Sequence, residues 1–388
     1  MGLTLKKTKV LVVDDSAFMR KVISRMISSD PEFEVAGIAR DGLDAIEKMR
    51  EVQPDVITLD VEMPRMNGLE ALQVIMAERP TPVVMLSGLT QENADTTIKA
   101  LALGAVDFVA KPSGAISLDI EKVRDILLSK IRVARRAKLR LSEKLRQRAV
   151  DEDFPGKAGI QASPGAAGAP GAIQVSGVTR TPGATRVPGV ADTVVVIGSS
   201  TGGPGALQEV IPRLPRDLAA GVLVVQHMPA GFTRSLAMRL NEASQLDVRE
   251  AAQGDPVIPG TVLVAPGGRH LAIRDDRTVD LSDAPPVHGV RPAVDITLES
   301  AVKVFGSRVI GVIMTGMGFD GARGISLVKA KGGFSIVQDE ETSVVWGMPR
   351  AVVEMGNADR ICPLDEIAQA VVTQLRRNHR RDNQEKEA

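Results

Sequence analysis

Between Phe154 and Val190 the chain is mostly Gly, Ala, Pro, Ser and Thr, with repeated Pro-Gly pairs and almost no large apolar side chain. A stretch of that composition cannot bury enough surface to offset the entropy lost on ordering, so it reads as a flexible linker. It divides the 388 residues into two folding units, as expected for a length beyond what one hydrophobic core organises. The expected boundaries are residues 8–130 for the first unit, 131–190 for a basic helix and the linker, and 191–380 for the second unit.

Both units alternate short apolar runs with helical patterns, which is the signature of parallel βαβ construction with helices on both faces of a sheet. In the first unit the strands are read at Val10–Val13, Val35–Ala39, Val56–Leu59, Val83–Leu86 and Phe108–Ala110. The strongly basic stretch Glu121–Val150 carries Ile126, Ile131, Leu139, Leu141 and Leu145 at roughly helical spacing, so it extends the last helix of that unit. In the second unit the strands are read at Val194–Ile197, Val222–Val225, Val262–Ala265, Val309–Met314 and Phe334–Val337, with a hairpin over His270–Asp283. Its helices are read at Pro204–Ile211, Phe232–Ala243, Pro292–Phe305, Gly321–Lys331 and Glu366–Arg376. The fold class is therefore α/β: a doubly wound first domain and a second doubly wound, mostly parallel domain.

Lys plus Arg and Asp plus Glu both number 48, which gives no global pull toward nucleic acid or membrane. The single cysteine, Cys362, excludes an internal disulfide and a cysteine-rich zinc site. With no long apolar span and no signal peptide, the expectation is a cytoplasmic monomer that neither inserts into a membrane nor binds nucleic acid.

In open parallel sheets functional groups gather beyond the carboxyl ends of the strands. In the first unit those ends carry Asp14-Asp15, Asp60, Ser87 and Lys111-Pro112. Three carboxylates so close together call for a cation, and an all-oxygen set suits Mg²⁺. Any one aspartate could be an ordinary turn or cap residue, but five groups at the right strand ends argue for a phosphoryl-transfer site with Asp60 as acceptor. With Phe108, these residues resemble the receiver domain of two-component response regulators across Lys9–Lys130. The resemblance implies a flavodoxin-like fold, phosphorylation at Asp60 by a histidine kinase, and Mg²⁺ at Asp14, Asp15, Asp60 and the backbone carbonyl of Glu62. It makes Ser87 and Phe108 the switch positions and Lys111 a ligand of the phosphoryl oxygens.

The second unit opens with an apolar strand that breaks into Gly198-Ser199-Ser200-Thr201-Gly202-Gly203-Pro204-Gly205. Such a turn can cradle a phosphate or hold up a serine nucleophile. A Walker loop would need a lysine that is missing here, and a dinucleotide site would need an acid where the next strand ends in Gln226-His227. G-x-S-x-G, with Ser200 at the tip, is the better fit. Of four histidines, His379 lies in a charged tail, and His270 and His288 read equally well as surface residues. His227 ends the strand next in sequence to that of Ser200 and suits a general base. Asp320, in Thr315-Gly316-Met317-Gly318-Phe319-Asp320-Gly321, either orients that imidazole or caps the helix that follows; Asp295, inside a helical pattern, is the weaker candidate.

The segments G-S-S-T-G-G, Q-H-M-P-A-G-F-T and T-G-M-G-F-D-G resemble the catalytic domain of chemotaxis protein-glutamate methylesterases, as do A-P-G-G-R-H and V-V-W-G-M-P-R. The likeness runs from Asp192 to about Val372, and the order of receiver, linker and esterase matches as well. It implies Ser200 as nucleophile, His227 as general base and acid, and Asp320 as orienting carboxylate, with no cofactor in this domain. Thr201 and Met317 are the expected backbone donors to the oxyanion. The implied substrates are glutamate methyl esters, and glutamines, of methyl-accepting chemoreceptors, and the implied control is an unphosphorylated receiver covering the esterase. The alternative is a response regulator with a nucleic-acid- or nucleotide-binding output; the first would need a helical recognition module, and the basic run Lys130–Arg148 lacks aromatics.

Overall fold

The computed structural model describes residues 7–111, 119–151, 189 and 191–387; for 119, 137–151 and 381–387 it describes the backbone alone. Pro112 and, apart from Gly189, the expected linker lie outside the described residues.

The first unit runs β1 (Thr8–Val13), α1 (Ala17–Ser28), β2 (Phe33–Ala39), α2 (Gly42–Val52), β3 (Val56–Asp60), α3 (Gly68–Glu78), β4 (Val83–Ser87), α4 (Gln91–Ala102), β5 (Asp107–Ala110) and α5 (Asp119–Asp151). Its five strands are parallel in the order β2-β1-β3-β4-β5, the flavodoxin-like order. Four of its helices start where a short polar side chain accepts an N–H of the first turn: Ser16, Asp41, Asn67 and Thr90. At Asn67 the reciprocal bond from Glu70 completes a capping box. The basic stretch does extend the last helix, α5.

The second unit runs β6 (Val194–Ser199), α6 (Gly203–Val210), β7 (Gly221–Gln226), α7 (Phe232–Ala243), β8 (Asp247–Glu250), β9 (Thr261–Val264), β10 (His270–Ile273), β11 (Val279–Ser282), α8 (Val294–Phe305), β12 (Val309–Ile313), α9 (Ala322–Ala330), β13 (Phe334–Gln338), α10 (Gly347–Glu354), β14 (Arg360–Cys362) and α11 (Ile367–Glu387). Seven strands form one parallel sheet ordered β14-β13-β12-β6-β7-β9-β8, and β10 and β11 form a separate antiparallel hairpin. Strands β6, β7 and β12 are buried along their whole length, which is why they read as continuous Val/Ile runs rather than alternating ones.

Three elements escape the sequence pattern. β8 and β14 sit at the two edges of the sheet, where Asp-Val-Arg-Glu and Arg-Ile-Cys each bury too little to make an apolar run. α10 begins Gly347-Met348-Pro349, residues that read as breakers, yet a proline in the first turn forfeits only an N–H with no intrahelical partner.

The two units meet through α4 and β5 on one side and α6 and α7 on the other. Phe108 of β5 stacks on Phe232 of α7 with ring centroids 4.4 Å apart, and Gln91 Nε2 donates to Ser235 Oγ at 2.8 Å. Among the described residues no helix is long and apolar enough to cross a membrane.

Candidate functional site

The sheet order puts the candidate catalytic groups on three neighbouring strands, β12, β6 and β7, at their carboxyl ends. β6 is the innermost of them, and the chain leaves it toward β7 on one side and returns to β12 on the other, the switch point where α/β sheets open a crevice. Ser200 follows β6 directly and is only partly buried. Its backbone is fixed on both sides: Ser200 N–H donates to the Thr315 carbonyl at 3.0 Å, and the Ser200 carbonyl accepts from Gly203 N–H at 2.8 Å and from Gln226 Nε2 at 2.9 Å. Gly202, at φ +78°, makes the left-handed bend, and a Cβ there would lie 2.6 Å from Val344. The turn therefore admits no side chain at this position.

His227 follows β7, and its N–H donates to the Ser199 carbonyl at 3.0 Å. Its Nε2 lies 2.7 Å from Asp320 Oδ2, so Nδ1 is the ring nitrogen left to serve Ser200. Asp320 is buried to 3% exposure. Its Oδ2 also accepts from Val294 N–H at 2.7 Å and its Oδ1 from Asp295 N–H at 3.0 Å. Asp320 thus caps the start of α8, not the helix that follows it in sequence. Burial acts to raise its pKa, but the hydrogen bond and charge of His227, joined by the two backbone N–H groups, outweigh burial and hold the carboxyl below its ordinary value.

Gly316 is pressed against the nucleophile turn: a Cβ on it would lie 2.9 Å from Ser200 Cβ and 2.3 Å from Met348 Sδ. Met317 is the next residue of this loop and is exposed. Thr201, 5% exposed, lies two residues before α6, whose N-terminal end favours negative charge. Met317 Sδ in turn accepts from Ser129 Oγ of α5 at 3.0 Å, so the first unit reaches the edge of this site.

His270 is not the surface residue it reads as. It is 1% exposed, its Nδ1 accepts from Ala293 N–H at 3.2 Å, and its Nε2 faces the Pro285 carbonyl at 3.1 Å. His288 is exposed, as a surface reading expects, but pairs with Asp295 at 3.1 Å. Sequence reasoning missed the polar layer beneath the turn: Ser199 Oγ donates to Gln226 Oε1 at 2.7 Å, Gln338 Oε1 accepts from Thr315 N–H at 2.8 Å, and Thr315 Oγ1 donates to the Thr201 carbonyl at 2.9 Å. The available signal was a polar residue closing each apolar strand, at Gln226, Thr315 and Gln338.

At the carboxyl edge of the first sheet, Asp14 and Asp60 are buried and Asp15 is exposed, with carboxylate oxygens of all three within 4.8 Å of one another. Lys111 Nζ bridges Asp14 Oδ2 at 2.8 Å and Asp60 Oδ2 at 2.6 Å. Burial pushes the Asp60 pKa up to about 6, against the lowering effect of Lys111 and with the help of Asp14 and Asp15. One ammonium for three carboxylates leaves surplus negative charge, and the hard oxygen set fits Mg²⁺. Exposed Glu62 follows two residues after Asp60. The Ser87 hydroxyl, at the end of β4, is turned toward α4: it accepts from Thr97 Oγ1 at 2.8 Å and donates to the Gly88 carbonyl at 3.1 Å. Phe108 points inward at 3% exposure, and Lys130 Nζ donates to its carbonyl at 2.6 Å and to Asp107 Oδ1 at 2.9 Å.

Residues 195–371 match the family described as CheB methylesterase, and residues 10–121 match the response regulator receiver domain. A relative from Symbiobacterium thermophilum, named protein-glutamate methylesterase/protein-glutamine glutaminase, is 53% identical over 94% of this chain and 96% of its own. One of the same name from Pyrococcus horikoshii is 48% identical over 96% of this chain and 95% of its own. The crystal structure of the Thermotoga maritima CheB methylesterase catalytic domain is 47% identical and covers 48% of this chain and all of that one, with a TM-score of 0.47.

Proposed function

The chain belongs to the CheB methylesterase family in its receiver-linked form, and we propose that it is a phosphorylation-controlled hydrolase of chemoreceptor glutamate methyl esters that also deamidates receptor glutamines. We take residues 8–130 as the receiver, 131–190 as the basic helix and linker, and 191–380 as the catalytic domain. The observation that carries the reading is the line of Ser200, His227 and Asp320 across three adjacent strand ends, with His227 Nε2 2.7 Å from Asp320.

In this mechanism His227 Nδ1 takes the Ser200 proton as Oγ attacks the γ-carbonyl carbon of the ester. Thr201 and Met317 N–H groups donate to the oxyanion that forms. The tetrahedral intermediate collapses with loss of the methoxy group, which leaves as methanol with the proton from His227. Water then adds to the acyl-enzyme, giving its proton to His227, and glutamate departs as Ser200 Oγ recovers that proton. With a glutamine side chain the leaving group is ammonia and the sequence is otherwise the same. Asp320 keeps Nε2 protonated and offsets the imidazolium charge throughout.

In the receiver, Asp60 accepts the phosphoryl group from a histidine kinase, and Lys111 and Ser87 hold its oxygens. Asp14, Asp15, Asp60 and the Glu62 carbonyl would hold Mg²⁺, which supplies charge neutralisation during transfer. The contacts of α4, β5 and α5 with α7 and the Met317 loop support a covered resting state that phosphorylation loosens. Methanol release from methylated receptor fragments tests the reading. Ser200→Ala should abolish release while leaving Asp60 phosphorylation intact, and surviving turnover would remove Ser200 from the mechanism.

A further inference from the structure

Two buried carboxylates lie behind His227, and only one of them touches it. Ala293 immediately precedes helix α8 and Gly321 helix α9, and neither of these capping positions has a side chain able to cap its own helix. Their first-turn N–H groups are satisfied crosswise. Asp320, which immediately precedes Gly321, accepts from Val294 and Asp295 N–H at the start of α8. Asp295, the second residue of α8, accepts on Oδ1 from Gly321 N–H at 3.0 Å and Gly324 N–H at 2.7 Å at the start of α9. Each acid belongs to one helix start and caps the other.

We propose that Asp295 is a positioning residue for the reaction: by tying the start of α9 to α8, its carboxylate fixes the loop that aims Asp320 at His227. This rests on the catalytic reading of Ser200, His227 and Asp320 given above. Asp295 is 1% exposed, so the hydrogen bonds it makes are shielded from water. Its second oxygen is held as well, by His288 Nε2 at 3.1 Å and, more loosely, by Arg323 Nε at 3.9 Å. Asp295 makes none of the contacts with His227, so it acts only through Asp320. Nor does the cluster His288, Asp295 and Asp320 read as a metal site: four backbone N–H groups and two imidazoles already occupy its carboxylate oxygens.

The arrangement makes the effect of substitution depend on which atoms remain. Asp295→Asn keeps an oxygen for Gly321 and Gly324, and its amide N–H can donate to His288 Nε2 in place of the present contact. Asp295→Ala leaves both glycine N–H groups buried without a partner and frees the Asp320 loop to shift. A displacement of about 1 Å at a reacting group costs on the order of 100-fold in rate.

The experiment measures kcat and KM for methanol release from a methylated receptor fragment, using the full chain, with Ser200→Ala as control and far-UV circular dichroism to establish folding. The expected result is a loss of roughly 30- to 100-fold in kcat for Asp295→Ala with KM within about twofold, and recovery to within about threefold of the parent in Asp295→Asn. If Asp295→Ala does not fold, Asp295→Ser takes its place, since one hydroxyl cannot span both N–H groups, and a kcat loss of at least about tenfold is expected. Equal kcat in the Ala (or Ser) and Asn variants, or a folded Ala variant with the parent's kcat, overturns the proposal. Turnover surviving in Ser200→Ala, or no turnover in the parent, would instead overturn the catalytic reading beneath it.

Discussion

The receiver site makes a prediction about stability that its phosphoryl chemistry does not require. Asp60 has its pKa pushed up from 3.8 to about 6, mainly by burial, with Lys111 opposing and Asp14 and Asp15 adding to the rise. A carboxyl whose folded pKa exceeds its unfolded one binds its extra proton in the folded state between about pH 4 and 6. Stability therefore falls as pH rises through that window and stays lower above it. At about 1.4 kcal/mol per pKa unit the penalty at pH 7 reaches at most roughly 3 kcal/mol. Asp60→Asn removes the charge and keeps the shape, and Lys111 retains its 2.8 Å partner Asp14. In Mg²⁺-free buffer at pH 7 the variant should gain up to about 3 kcal/mol, a rise in receiver Tm on the order of 10 °C. Near pH 4 the difference should vanish, and Mg²⁺ should stabilise the parent more than the variant. The single tryptophan, Trp346, lies in the second unit, so its fluorescence follows the wrong domain; scanning calorimetry of the full chain follows both transitions. An Asn variant less stable than the parent at pH 7 without Mg²⁺, or a gain that persists undiminished at pH 4, would refute the charge argument.

Asp320→Asn should cut kcat roughly 1000-fold, because a carboxylate about 4 Å from the imidazolium charge is worth about 4 kcal/mol at an effective dielectric near 20; a loss below tenfold in methanol release would deny it the orienting role. Gln91→Ala, which deletes the 2.8 Å bond to Ser235 between the domains, should raise activity without phosphodonor by up to about fivefold, the equivalent of one hydrogen bond of roughly 1 kcal/mol. Unchanged basal turnover there would mean that this contact does not hold the covered state.

Much of this was legible because parallel βαβ construction sends functional groups to one end of each strand. Once Val194–Ile197, Val222–Val225 and Val309–Met314 are read as strands, Ser200, His227 and Asp320 all fall beyond their carboxyl ends. Periodicity was a poorer guide at the edges of the sheet, where Val248 alone is buried in β8. It also says nothing of long-range hydrogen bonds. Capping of the next helix is the alternative the sequence offers for Asp320, because caps are usually local, whereas its N–H partners lie 25 and 26 residues earlier in the chain. His270 looked exposed because it follows a Pro-Gly-Gly turn, but the hairpin that it opens folds back against α8 and buries it.

The same separation of local and long-range information bears on control. Within each domain the candidate sites rest on fully buried strands, and groups so held change little in geometry on small perturbation. Between the domains, beside the apolar packing of α4 on α6 and α7, the directional contacts among the described residues are a stacked aromatic pair, a side-chain hydrogen bond and a hydroxyl on a methionine sulfur. Each is worth about 1 kcal/mol beyond the area it covers. Moving an equilibrium from 1:99 to 99:1 takes about 5.5 kcal/mol. Three such contacts together are of the same order, so the directional part of the interface is what the proposed phosphorylation of Asp60 would act on. Phe108 is the residue where the two scales meet, since Lys130 ties its backbone to the receiver while its ring rests on Phe232 at the start of α7, the helix that follows His227. Under the covered state proposed above, a change in the receiver that withdraws that ring would release the start of α7 without having to alter the geometry of the groups proposed to act on Ser200.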